Sequence, residues 1–390
     1  MYFLRLIFRL SSVWTRTVWL LLLDSIKNTA LFVSSDWVLG MFRTTLNVDE
    51  MRLAVVAIAT NEKKIDYSIL SNMKRRIRMN KQLVIALGGN ALGNTPDEQK
   101  QAVLTAASHI VRLVKDGYKI VIVHGNGPQV GMINLAFELA YKQNSNVSAM
   151  PFAECSAMSQ GYIGFHLQNA LQNTFLEQGM TTHVSTAITQ VIVDQNDPAF
   201  QHPTKPVGLF YSEEAAKEIG EERGYTFVED SGRGFRRVVP SPEPVDIKEK
   251  GTVRCLMENG DVVIACGGGG IPVCREDGML YSVDAVIDKD KAAAKLADVI
   301  NADTFVVLTA VPRVAINFGE SDQKWLERIT VDEANRYIEE GHFAPGSMLP
   351  KVEAAIKFVK SGPGREAIIT SLENAYKAVT EDNGTIICSE

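Results

Sequence analysis

Gln82-Leu83-Val84-Ile85-Ala86-Leu87-Gly88-Gly89-Asn90-Ala91 runs a short apolar stretch straight into two glycines. An unbroken apolar run of this length reads as a parallel strand buried on both faces. Pro96-Asp97-Glu98 follows and opens an acid-rich helical stretch that ends near Asp116-Gly117. Lys119–His124 is a second strand, and it too ends in a glycine loop, Gly125-Asn126-Gly127-Pro128-Gln129. Helical patterns over 129–142 and 154–178 and a strand over Val184–Val193 continue the alternation, which implies βαβ units and a parallel sheet.

From about Asp194 to Pro244 the texture changes. Pro198, Pro203, Pro206, Pro240, Pro242 and Pro244 break up regular structure, so 194–245 reads as an inserted subdomain or lid. The α/β pattern then resumes with a strand over 261–266, a loop Gly267–Gly270 and a helix over 284–299. A strand over 304–309, helices over 331–340 and 348–360, and strands over 366–370 and 385–388 complete it.

The chain has 390 residues, 46% apolar and 22% charged, which suits a globular fold and excludes a disordered one. Its net charge of −6 argues against a protein that grips nucleic acid by bulk positive charge. Residues 1–78 stand apart. They hold twelve Lys or Arg against six acids, three of the four tryptophans, one glycine (Gly40) and no proline. Val18–Leu23 is apolar but stops at Asp24, too short for a membrane span. Arg5, Arg9 and Arg16 with no acid before Asp24 resemble an organellar transit peptide. The favoured reading is upstream sequence ahead of a start at Met79, with the targeting peptide as the alternative. Five cysteines suggest a reducing compartment, and the cytoplasm is the expected location.

Three glycine loops, each after an apolar strand, fall at the carboxyl edge of a parallel sheet, where ligands bind. Backbone N–H groups exposed by glycine, with helix N-termini behind them, suit a phosphate or another oxyanion. No G-x-x-x-x-G-K-[ST] occurs, and Gly125–Gly131 spaces its glycines one residue too long for the dinucleotide fingerprint. Charged residues near these loops are candidates. Asp288-Lys289-Asp290 opens a helix, where Asp290 could be a cap. Lys205 is stiffened by neighbouring prolines in Pro203-Thr204-Lys205-Pro206, and Lys351 stands at a helix start where positive charge is unfavourable without a ligand. Arg233, Arg236 and Arg237 read as surface. The cysteines lack C-x-x-C spacing, the six histidines form no ligand cluster and no G-x-S-x-G elbow occurs, so neither a metal site nor a serine hydrolase is expected.

Taken in order, these segments resemble the carbamate kinases, a branch of the amino acid kinase family. They are Ala86–Ala91, His124–Gly131, Pro203–Gly208, Asp230–Gly234, Val239–Pro242, Gly267–Gly270, Ala285–Asp290 and Gly346–Lys351. The Pro-Thr-Lys-Pro insertion and the Gly-Asn-Gly-Pro-Gln loop separate that branch from acetylglutamate and aspartate kinases. The resemblance runs from about Met79 to the C-terminus. It implies an α/β/α sandwich around an open, mostly parallel eight-stranded sheet over 79–390, with a protruding lid at 194–245 and a nucleotide-binding part at about 285–390. It further implies a homodimer that transfers phosphoryl reversibly between ATP and carbamate, giving ADP and carbamoyl phosphate, with Mg²⁺ carried on the nucleotide, toward ATP in fermentative arginine breakdown. Carried over, Gly88, Gly89 and Asn90 would hold the transferring phosphoryl group, and Gly125, Asn126 and Gly127 the carbamate end. Gly267, Gly268, Gly269 and Gly270 would complete the phosphate-binding loops. Lys205 would reach in from the lid, Lys289 and Lys351 would bridge the phosphates, and Asp290 would orient the lysines. Ala310-Val311-Pro312-Arg313 departs from the acidic residue many wider relatives carry there, which leaves the base contacts open. A kinase of another carboxylate, or a nucleotide sensor without turnover, are the rival readings.

Overall fold

The structure is a computed structural model that describes residues 81–88, 95–144, 146–230 and 232–390. The targeting or upstream-sequence reading of 1–78 lies outside the described residues, as do Gly89, Asn90 and Ser231.

Strand β1 (Gln82–Leu87) shows why the opening run is continuously apolar. Val84 and Ala86 pack into one core layer, whereas Leu83, Ile85 and Leu87 pack into the other. Helix α1 (Pro96–Lys115) starts with a reciprocal capping box between Thr95 and Glu98, with proline in its first turn. Then come β2 (Lys119–His124), α2 (Gly127–Gln143), α3 (Phe152–Glu177), β3 (Val184–Thr186) and β4 (Gln190–Val193). Strand β5 (Lys205–Tyr211), α4 (Glu213–Arg223), β6 (Thr226–Glu229) and β7 (Phe235–Val239) occupy the proline-rich region. The chain continues with β8 (Pro244–Ile247), α5 (Lys250–Asn259), β9 (Val262–Ile264), β10 (Ile271–Glu276), β11 (Met279–Ser282), α6 (Lys289–Val299) and β12 (Thr304–Thr309). A small hairpin, β13 (Ala315–Ile316) with β14 (Lys324–Trp325), precedes β15 (Arg328–Thr330), α7 (Val331–Glu339), α8 (Leu349–Lys360), β16 (Glu366–Ser371), α9 (Ala375–Glu381) and β17 (Thr385–Cys388).

The main sheet has eight strands in the order β15-β17-β16-β12-β1-β2-β9-β3. Six run parallel; β17 is antiparallel to β16, and β15 follows β17. Helices α6 and α8 cover one face, and α1, α3 and α9 the other. This is the expected α/β/α sandwich. Among the described residues no helix is long and apolar enough to cross a membrane.

Three expectations change. The strand expected over Val184–Val193 is two strands in two sheets, because β4 joins β11-β10-β4-β8. The break is held by buried Gln160 on α3. Its amide accepts from Thr189 N (2.9 Å), the group that a continuous ladder would have used, and donates to Thr189 O (3.2 Å), which also accepts from Ile271 N of β10 (2.9 Å). The helix expected from 284 begins at Lys289, because Asp288 is extended and its Oδ1 accepts from Asp290 N (2.9 Å). The cap is therefore Asp288, not Asp290. Residues 194–245 are more regular than their prolines imply. Ser212 caps α4 and Gly224 ends it in the left-handed conformation, while β5-β7-β6 forms a separate antiparallel sheet.

Candidate active site

Strands β1, β2 and β9 end side by side, so their loops meet at one edge of the sheet. Gly88, the Gly125-Asn126-Gly127 loop and Gly268 line a cavity of about 760 Å³ together with Lys205, Asp288, Lys289, Asp290 and Lys351. Gly89 and Asn90 follow Gly88 directly in the chain but lie outside the described residues. Gly267, Gly269 and Gly270 do not line the cavity. They are buried and serve close packing instead. A Cβ on Gly267 would collide with the His124 ring, and one on Gly268 with the Asn126 amide. Gly268 also has φ +67°, which a side chain would strain. The second and third loops therefore interlock.

Asn126 is fixed from behind, where its Nδ2 donates to Ser159 Oγ on α3 (2.9 Å). His124 Nδ1 donates to the Gly125 carbonyl (2.9 Å). Burial pushes the His124 ring down to about 4, with the Gly125 bond opposing, so it is neutral near pH 7 and holds the loop rather than moving protons. Helix α2 has no side-chain cap at its N-terminus. Its first residue, Gly127, lines the cavity, where the positive end of a helix favours an anion.

The charged residues form one cluster. Asp290 takes Lys289 Nζ on Oδ1 (2.5 Å) and Lys351 Nζ on Oδ2 (2.8 Å). Asp288 takes Lys205 Nζ on Oδ2 (2.8 Å). Three elements thus deliver three lysines: β5, α6 and α8. Burial pushes the Asp290 carboxyl up, but Lys289 and Lys351 outweigh it and hold it below the ordinary carboxylate range. Asp288 behaves likewise, with Lys205 and then Lys289 overcoming burial. Burial lowers the Lys289 ammonium; Asp290 works to restore it, and Lys351 pushes it down again.

The arginine cluster corrects the surface reading. Arg236 lines the cavity and pairs with Asp230 (3.0 Å). Arg237 is mostly buried, pairs with Asp284 (2.9 Å) and lies over the Tyr225 ring at 3.5 Å from its centroid. Only Arg233 stays largely exposed. Sequence reasoning named neither Arg236 nor Asp288 as site residues. A stiff Pro-flanked lysine implies a partner, and an aspartate before Lys289 was the available signal. Ala310 lines the cavity beside Glu373 from the loop after β16.

A cavity rimmed by N–H-rich loops and three lysines around two carboxylates is arranged to hold phosphate groups and spread their charge. The profile of the amino acid kinase family matches residues 81–371. The carbamate kinase-like protein YqeA of Escherichia coli is 54% identical over 310 residues, covering 80% of this chain and all of that protein. Carbamate kinase of Clostridium perfringens is 50% identical over 311 residues, covering 78% of this chain and 99% of its own. Among solved structures, carbamate kinase from Giardia lamblia bound to AMP-PNP superposes with a TM-score of 0.74 at 44% identity, covering 80% of this chain and 99% of that one.

Proposed function

The chain belongs to the amino acid kinase family, on its carbamate kinase branch, and is a phosphotransferase; from this we propose that it moves a phosphoryl group reversibly between ATP and carbamate, giving ADP and carbamoyl phosphate. The observation that carries the reading is the Lys205–Asp288 and Lys289–Asp290–Lys351 cluster at the mouth of the glycine loops.

In the forward direction a carbamate oxygen attacks the terminal phosphorus of ATP as the bond to the bridging oxygen breaks and ADP leaves. Carbamate is already an anion, so no proton has to be removed. What the reaction needs is in-line placement and cations on the equatorial oxygens. Lys289 and Lys351 supply those cations, held apart and oriented by Asp290. Gly88, with Gly89 and Asn90, cradles the transferring group. Asn126, Gly127 and the head of α2 hold the carbamate end, and Lys205 meets it from β5. Gly268 acts by leaving room for Asn126.

Magnesium is assigned to the nucleotide. Among the described residues no group of three His, Cys, Asp or Glu side chains is placed to hold an ion, and both cavity aspartates already hold lysines. An ion borne mainly by substrate phosphates fits that donor set. Residues 194–245 are proposed as the lid and about 285–390 as the nucleotide side. We further propose a homodimer. Met158, Phe165 and Leu176 share one face of α3 and are exposed, a surface suited to a second copy. Five free cysteines fit the cytoplasm, and ATP formation is the proposed direction.

ATP formed from ADP, carbamoyl phosphate and magnesium tests the reading, with Lys351→Ala as control. Turnover that disappears in the variant is expected. A folded protein that binds ADP yet forms no ATP would remove carbamate as the acceptor and leave the family assignment standing.

A further inference from the structure

We propose that Asp288 is a positioning residue for Lys205, a latch that holds the β5-β7-β6 sheet against the head of α6 until an anionic substrate takes the lysine from it. The two oxygens of this carboxylate have separate tasks. Oδ1 caps α6 by accepting from Asp290 N (2.9 Å), and Oδ2 accepts Lys205 Nζ (2.8 Å). The first task is local. The second joins residues 83 positions apart, across the cavity.

The base of that sheet is also held by packing, since Val207 and Val239 are buried against Val130, Phe152, Cys155 and Val286, and Val286 N donates to Pro240 O (3.0 Å). These contacts hold no charge for an anion to displace. Other ties lie elsewhere. Arg237 pairs with Asp284, whose side chain is exposed, and Arg223 on α4 pairs with Glu138 on α2 (3.4 Å). Gly131 on α2 packs against the Gly208 backbone on β5. Arg236, the other cavity-lining cation of the sheet, is held by Asp230 between β6 and β7 and so binds the sheet only to itself. Lys205–Asp288 is the tie that an incoming anion can reach. The Lys205 side chain is 37% exposed. Asp288 is only 17% exposed, so it is the lysine end of the pair that meets water, and there a phosphate group can replace the carboxylate as the lysine's partner. Once it does, the sheet is referred to the substrate rather than to α6.

The proposal rests on the proposed function only for which anion arrives. Its test is amide hydrogen exchange on the ligand-free full chain for the wild type, Asp288→Asn, Lys205→Met and the double variant. Asparagine keeps the cap oxygen. Exchange in 203–211 and 235–239 is expected to quicken several-fold in each single variant and no further in the double, with 289–299 unchanged. KM for carbamoyl phosphate is expected to fall about 3–10-fold in Asp288→Asn without a rise in kcat, the range set by an ion pair open at its lysine end. Unchanged exchange in the sheet, quickening confined to α6, or an Asp288→Asn effect that persists beside Lys205→Met overturns the latch. If Asp288→Asn does not fold, Lys205→Met decides, and unchanged exchange there overturns it as well. A chain that makes no ATP from carbamoyl phosphate loses the proposed substrate, while the exchange result still decides the latch.

Discussion

Asp290 holds two lysines at once, and a single charge change there has two consequences. Lys289 and Lys351 lose their common screen, and both lose orientation. Removing either lysine of the reaction tests its electrostatic share directly. Lys205→Ala and Lys351→Ala are each expected to lower kcat by roughly 10²–10³, the usual cost of losing one such donor; steady-state rates within a few-fold of wild type would reject the assignment. Acid stability gives an independent readout. Asp288 and Asp290 titrate below the ordinary 3.8 in the fold. As pH falls the unfolded chain takes up these protons first, so their contribution is complete above about pH 4 and drains away below it. The guanidinium midpoint of an Asp288→Asn, Asp290→Asn double variant should therefore fall less steeply than that of wild type between about pH 4 and 2. Lys205 and Lys351 were legible in the sequence because each sits in an odd local setting, between prolines or at a helix head, and Lys289 and Asp290 only through the family resemblance. Asp288 was not. Before Lys289 it is an ordinary helix cap, and only the return of β5 from 83 residues away gives its other oxygen a partner.

Strand β3 and strand β4 show what periodicity cannot resolve. Val184–Val193 has strand composition throughout, and nothing in it announces that Ala187–Thr189 leaves the sheet. The reason lies in Gln160, on a helix that precedes it, whose amide pairs both backbone groups of Thr189. Gln160→Met keeps the bulk and removes both bonds. Thr189 O keeps its bond from Ile271 N, so Thr189 N alone is left unpaired. At ~1–3 kcal/mol for one such buried group, the variant should lose about 1–3 kcal/mol in chemical denaturation. A loss under ~0.5 kcal/mol would show that water or a shifted neighbour replaces the amide. Helix α4 was hidden by the prolines around it, although Ser212 and Gly224 mark its ends. Strands β1, β2 and β12, by contrast, were readable to the residue, since burial on both faces leaves an apolar run with no polar interruption.

All of the described site, both large core layers and the eight-stranded sheet lie within Arg78–Glu390. A chain beginning at Met79 is therefore expected to melt within about 2 °C of the full-length protein's main transition, a shift of well under 1 kcal/mol, and to keep kcat within two-fold. A larger loss on either measurement would assign 1–78 a part in the fold or the chemistry. The three-layer plan was open to sequence reading because strand and helix alternate along the chain. The neighbour order was not, since composition says nothing about which strand returns beside which.

That order has a cost in time. β1 lies in the middle of the sheet, between β2 and β12. The backbone of Gln82 at its start donates to the side chain of Asp303, 221 residues onward. A ribosome adding about 5–20 residues per second makes that wait on the order of 10–40 s. For that interval one whole edge of a central, buried strand is without its neighbour. A nascent chain in this state is a template for mispairing, so the yield of active protein should depend on elongation rate and on chaperones that cover strand edges, more than its finished stability would suggest.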